Sequence, residues 1–351
     1  MRSRRWSPSD QVFAGVLPSF LALVLLLCIP AAAGAADQSK LVRRAIGNAV
    51  IDRAAGPTPT LPDPYPGPFG VNADFVAGRR AAPVFYMQRI GARWVQIGLA
   101  RRVPSLRAAG WSAFRWGFTL QRTDGSFDDS PGSVLGVAFL VEAAGWAHLA
   151  ERAAGQRSTE TLPISDLVRS ARWLARRDPV RDDGVKYFRR FVHRNWVMAA
   201  ALSLTGDLTG TRRLRSAANR YANRGFALQR RSGVNPEAGG YDVGYQATGL
   251  ISASRFYLTC RAGKTRATTR RMIRRGARWL ASRVRSDGSI AAGSSTRVGV
   301  ETGLDGETKR VPPEQVAAAL GWAALVTKDR RLERVGTKVL DANDKALGRQ
   351  T

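Results

Sequence analysis

Residues 133–150 (SVLGVAFLVEAAGWAHLA) are apolar around nearly the whole circumference of a helix, so this helix has to be enclosed on every side. The next helical stretch, 165–177, instead carries Arg169, Arg172, Arg176 and Arg177 on a surface. The contrast recurs along the chain. Stretches 187–204, 242–258 and 314–326 read as inner helices, and 211–225, 264–285 and 329–345 read as charged outer ones. With an earlier pair at 83–103 and 105–120, the count is five inner–outer helical hairpins. The expected class is all-α, with one helical domain spanning 83–351.

A weak internal repeat supports that count. FRWGFTLQRTDGSF (114–127), ARWLARRDPVRDDG (171–184), RGFALQRRSGV (224–234) and ARWLASRVRSDGSI (277–290) close successive outer helices. Their spacing, roughly 50–60 residues, suits one two-helix unit with its loops. In Asp-Gly-Ser the glycine supplies a positive φ and the aspartate bonds back to the chain, which makes a tight turn. Residues 289–311 (SIAAGSSTRVGVETGLDGETKRV) break the helical pattern and read as a β-hairpin or loop insertion over one mouth of the domain. Arg297, Glu301 and Lys309 stand there as ligand contacts or as parts of a solvated connector.

The N-terminus reads as an export signal. Arg2, Arg4 and Arg5 precede an apolar run that ends in small residues, with cleavage expected after Ala36. Residues 37–82 then form an N-terminal segment and a proline-rich linker, of which 54–70 (AAGPTPTLPDPYPGPFG) holds too many prolines to be helical. The expected location is secreted or associated with the cell envelope, with a membrane contact only if the signal stays uncleaved. Cys28 falls inside the signal, which leaves Cys260 alone and allows no intramolecular disulfide. The formal charge of +28 suits an acidic polysaccharide or another anionic cell-envelope polymer. Equally, arginine decorates the outer helix faces. No zinc-finger spacing, RNP-type motif or basic region joined to heptads is present, so nucleic acid is not the expected partner.

Chemistry-bearing residues gather in 235–258 (NPEAGGYDVGYQATGLISASRFYL), where a glycine-rich polar loop opens into an inner helix. Counted from Asp242, positions Gln246, Gly249, Ala253, Phe256 and Cys260 share one face. Asp242 suits a helix cap or a catalytic acid, and Glu237 suits a ligand contact or a partner for arginine. Tyr241 and Tyr245 either pack at the rim or face the ligand. Asn195 lies at the centre of the apolar face of 187–204, and a buried amide has to be satisfied. On a regular helix His193 falls on the opposite face, with Lys186, Arg189 and Arg190, so the surface is its expected position. Asp128 and Asp129 follow the first repeat, and Glu142 stands alone in an apolar helix. No metal cluster, phosphate loop or nucleophile elbow appears, and no cofactor is expected.

The inner–outer alternation, with Q-x-x-D-G-S-aromatic at 121–127, resembles the α/α-toroid proteins. These include terpene cyclases, six-hairpin glycosidases and toroidal polysaccharide lyases of alginate-lyase and heparinase type. The D-x-D-D motif of the cyclases is missing, since Asp128-Asp129 is not that motif. Resemblance to the lyases implies β-elimination at a uronate. Asn195 would bind the carboxylate, Tyr241, Tyr245 or His193 would take the C5 proton, and a tyrosine would protonate the leaving oxygen. Asp242 joins this catalytic set, with Glu237, Gln246, Asp128, Asp129 and Arg297 as substrate contacts. Resemblance to the glycosidases implies instead two carboxylates from Asp128, Asp129, Glu237 and Asp242, with Glu142 as a further acid. A non-catalytic glycan-binding scaffold is the third expectation.

Overall fold

The computed structural model describes residues 36–69, 85–127, 133–156, 158, 161–177, 188–261, 263–302 and 308–349. Residues 1–35 of the segment 1–36 expected to be a signal, together with Asp128 and Asp129, lie outside the described residues. The class is all-α, and no extended strand forms among the described residues. Helix α1 covers 36–46 and α2 Ala49–Ala54. A 3-10 turn at Phe85–Arg89 runs into α3, Ile90–Ala100. Then follow α4, Pro104–Thr119, α5, Ser133–Ala154, and α6, Ile164–Arg176. A helical turn at 188–190 (α7) precedes α8, His193–Leu208, and α9, Arg212–Leu228. The last two pairs are α10, Val243–Thr259, with α11, Lys264–Ala281, and α12, Pro313–Thr327, with α13, Arg330–Ala346.

Packing follows the apolar patterning. Helices α3, α5, α8, α10 and α12 touch one another in that order, and α2 touches both α12 and α3. Outside them, α4 covers α3, α6 lies on α5 and α8, α9 on α8, α11 on α10 and α12, and α13 on α12. Helix α6 shows why the outer layer is amphipathic: Leu167, Ala171, Trp173 and Leu174 are buried, while Arg169, Arg172 and Arg176 stay in solvent. Segment Val134–Ala154 is long and apolar enough to cross a membrane, but 78% of its most apolar window is buried, as in the core helix of a soluble fold. Trp111, Trp146, Trp196 and Trp322 are among the largest fully buried side chains, and truncating one to alanine costs about 3–5 kcal/mol.

The repeat turns dock each hairpin onto the next. In the first, Asp124 Oδ1 accepts from Ser126 N at 2.8 Å and from its hydroxyl at 2.6 Å, and Arg122 N donates to Ser126 O at 2.8 Å. Hydrogen bonds from Ser126 also hold the exposed Asp124 carboxyl below its ordinary pKa. Gly125 has φ +93°, and a Cβ there would lie 2.3 Å from the Arg169 carbonyl oxygen of α6. Gly233 meets Arg275 O of α11 in the same way at 2.3 Å, and Gly288 meets Lys338 O of α13 at 2.4 Å. Gln121 adds bonds to Asp166 O and Ser170 Oγ, as Gln229 does to Met272 O. The glycines are therefore needed for backbone shape and for close approach.

Residues 36–69, set apart in the sequence reading, pack against the helical body. Val42, Ala45, Val50 and Ile51 are buried in the main core. Asn48 caps α2 by accepting from Ile51 N at 3.0 Å and reaches Glu333 at 3.0 Å. Leu61, Tyr65 and Phe69 of the proline-rich stretch lie on a smaller core formed by Trp94, Ile97 and Leu106. Cys260 is buried and free, and burial pushes its thiol up to about 11.

Gly125→Ala is expected to cost about 2–4 kcal/mol, because a strained φ and a backbone collision add. Gly210→Ala has φ +69° but nothing within 4 Å of the new Cβ, so it should cost about 1–2 kcal/mol. Urea unfolding of both variants checks this, and equal losses would mean that docking on α6 contributes nothing.

Candidate functional site

A cavity of about 800 Å³ opens among the starts of α3, α8, α10 and α12, with α5 behind it and the 289–311 segment at its rim. That size suits a small or oligomeric ligand. Its polar wall is built from three chain features.

The first is a late helix start. Phe191 bridges to Glu237, Asn195 N donates to Val192 O at 3.0 Å, and Asn195 Nδ2 donates to Phe188 O at 2.9 Å. The chain is thus folded into a turn before α8 begins at His193. His193 is fully buried and lines the cavity, which corrects the surface position expected from a regular helix. Glu237 Oε1 accepts from His193 N at 3.1 Å and lies 2.6 Å from Nδ1. A carboxylate oxygen accepting from both makes Nδ1 the N–H nitrogen, and in the neutral imidazole Nε2 is then the acceptor. Nε2 is buried and has no hydrogen-bond partner.

The second feature is the N-cap of α10. Asp242 Oδ1 accepts from Tyr245 N at 2.9 Å, and Oδ2 accepts from Arg297 N at 3.2 Å and Val298 N at 2.9 Å. One buried carboxylate therefore caps a helix and straps the 289–311 segment to it. Thr296 completes the strap through Glu237 O and Tyr241 O.

The third is a clasp of charge around Tyr245. Its ring lies 4.5 Å from that of His193, and Arg297 Cζ stands 3.9 Å above it. Lys309 Nζ donates to the phenol oxygen at 3.1 Å. Glu301 accepts from Arg297 Nε at 2.8 Å and from Lys309 Nζ at 2.6 Å. Burial alone would raise the Glu301 carboxyl, but these two donors outweigh it and hold it below the ordinary 4.5. Deeper in the cavity Glu142 meets Arg255 at 3.5 Å. Burial dominates there, raising the Glu142 carboxyl and lowering the Arg255 guanidinium, with their mutual attraction opposing both.

The structure thus brings together His193, Glu237, Asp242, Tyr245 and Arg297. It does not bring in three others. Asn195 is buried against the Phe188 carbonyl, away from the cavity lining. Tyr241 donates to Gly293 O at 2.6 Å and packs edge-on against Trp279. Gln246 binds Gly233 O and accepts from Asn235 N, tying the loop to the helix. Arg89, Arg93 and Arg255 line the cavity without having been singled out from the sequence. Their signal was arginine inside helices otherwise read as inner. His148, on α5, packs its ring 4.6 Å from Trp111. No protein family, curated protein or solved structure matches this chain.

Asp242→Ala removes a cap and leaves two buried N–H groups unpaired, so a loss of about 2–4 kcal/mol is expected. Amide exchange should speed up at Arg297 and Val298 more than elsewhere; uniform change would show that the strap is not a local device. Because Glu301 is held low, the clasp's contribution is complete above 4.5 and is lost as pH falls through the folded-state value. Glu301→Gln should therefore release residues 297–302 to exchange at neutral pH and weaken the acid dependence of that exchange. Unchanged exchange would exclude the clasp as the anchor.

Proposed function

We propose that this chain is an exported α/α toroid that binds an acidic polysaccharide in the cavity and cleaves it by β-elimination at a uronate. The order of inner-helix contacts, with α2 bridging α12 and α3, supports a closed ring of five hairpins. The arginine-led apolar stretch at the N-terminus supports export. One observation carries the chemistry: a buried histidine, fixed by Glu237, is among the residues lining a cation-rich cavity and keeps its Nε2 without a partner.

The step balances without a cofactor. His193 Nε2 takes the C5 proton of the uronate, the C4–C5 double bond forms, and the C4–O bond breaks. Tyr245 gives its hydroxyl proton to the departing oxygen. Arg297 and Lys309 carry the neutralising role first assigned to Asn195, since both already face Tyr245 and both bind carboxylates well. Hydrolysis by a carboxylate pair is less well supported, because the described acids are engaged: Asp242 in the strap, Glu237 on His193, Glu301 in the clasp and Glu142 with Arg255.

Purified protein mixed with a panel of polyuronates should raise the ultraviolet absorbance of unsaturated uronate. His193→Gln should slow that rise by about 10²–10⁴-fold, and Tyr245→Phe should slow it strongly, with thermal unfolding little changed. A flat trace across the panel, or wild-type rates in His193→Gln, overturns the elimination reading.

A further inference from the structure

The cations of the cavity fall into two groups. Arg255, Arg297 and Lys309 each have an acidic partner. Arg89 has none: among the described residues it makes no hydrogen bond or ion pair, and its guanidinium is held only over the Phe139 ring at 4.6 Å and near Tyr86 at 5.9 Å. It closes the 3-10 turn and sits at the N-cap position of α3, so its backbone is fixed by two elements. Arg93 follows one turn later on the same helix and bonds the Ala55 carbonyl, a neutral partner. The Arg89 side chain is exposed by area although it lines the cavity deep in the fold. Solvent and ligand therefore reach it through the same opening as His193.

Arg89 is open to solvent through the cavity mouth, yet the protein around it removes part of its hydration and no acid bonds it directly. Burial pulls the Arg89 pKa down more strongly than Tyr86, Glu142 and Tyr245 draw it up. Stacking on an aromatic face leaves its in-plane donors free, which is the geometry that receives a planar carboxylate or a sulfate bidentately. The clasp around Tyr245 supplies one anion position, and Arg89, on a different helix, makes no hydrogen bond or ion pair with Glu301 or Glu237.

We infer that Arg89, supported by Arg93, is a second anion-binding position, and that the ligand carries acidic groups on neighbouring sugars. Substrates of this class are polyuronates, in contrast to polymers in which one acidic sugar is isolated among neutral ones. The inference rests on the acidic-saccharide reading of the cavity and is independent of the elimination step.

Calorimetric titration with a uronate trisaccharide and with the corresponding uronate monosaccharide tests it without turnover in the inactive His193→Gln background. Arg89→Gln should weaken trisaccharide binding by about 10–100-fold, the range of a charge-assisted hydrogen bond. Monosaccharide binding should stay within about twofold, Arg89→Lys should recover part of the loss, and Arg271→Gln on the outer face of α11 should recover the full His193→Gln affinity. The unfolding temperature of Arg89→Gln should change little, because only the ring contacts with Phe139 and Tyr86 are lost and no ion pair is broken. Trisaccharide binding that survives Arg89→Gln, equal losses for both sugars, or a lower unfolding temperature with no loss of binding would overturn the second position. If the parent protein binds neither sugar, the acidic-saccharide reading falls as well, and that failure is read separately from the effect of Arg89.

Discussion

Everything in this fold follows from helices that cannot tolerate water on any side. Helix α12 between Val316 and Thr327 is almost wholly buried, as are α8 and α10. Helices of this kind have to be covered by one another and by an amphipathic outer layer. Five of them packed in sequence cannot fill their shared centre where side chains are small or the helices begin, and polar groups collect there. The cavity is thus a by-product of the packing rule, and residues of α3, α5, α8, α10 and α12 all line it.

Repetition in the sequence has a mechanical reason. The turn glycines at 125, 233 and 288 each press against a backbone carbonyl within the following outer helix, so in these three places the end of one hairpin is set by the body of the next outer helix. A chain built this way needs the turn more than it needs any particular side chain on the outer face. That explains why the turn glycine is the element that the described copies share. It also explains why helix class, hairpin order and the 289–311 interruption were legible from residues alone.

The site was legible only in part, for reasons that lie in its local geometry. Residues 235–258 stood out because polar groups beside glycines at a helix start are costly unless used. His193 was misplaced because facing was counted along one continuous helix from residue 187. The actual chain turns at Phe191 and restarts, held by a bridge to Glu237 and by the Asn195 amide on Phe188 O. A contact between residues 44 positions apart decides where α8 begins, and periodicity carries no trace of it. Asn195 was noticed for the right reason, a buried amide needing a partner, but its partner is the turn that turns His193 inward. Arg89 and Arg255 were passed over because arginine is so common here that two more carried no signal.

Net charge shows the same limit from the other side. Outer helices α9 and α11 carry no acidic residue at all, yet their arginines are largely solvated and each is worth little on its own. The few cations that matter chemically are those with no water to hydrate them. Around Tyr245 they are balanced, with Glu301 shared between Arg297 and Lys309, so that region is already stable without ligand. At Arg89 they are not balanced: the guanidinium is open to the cavity, stacked on Phe139, and has no ion pair. A fold that pairs Arg255, Arg297 and Lys309 with acids and leaves Arg89 without one places the missing anion outside its own sequence.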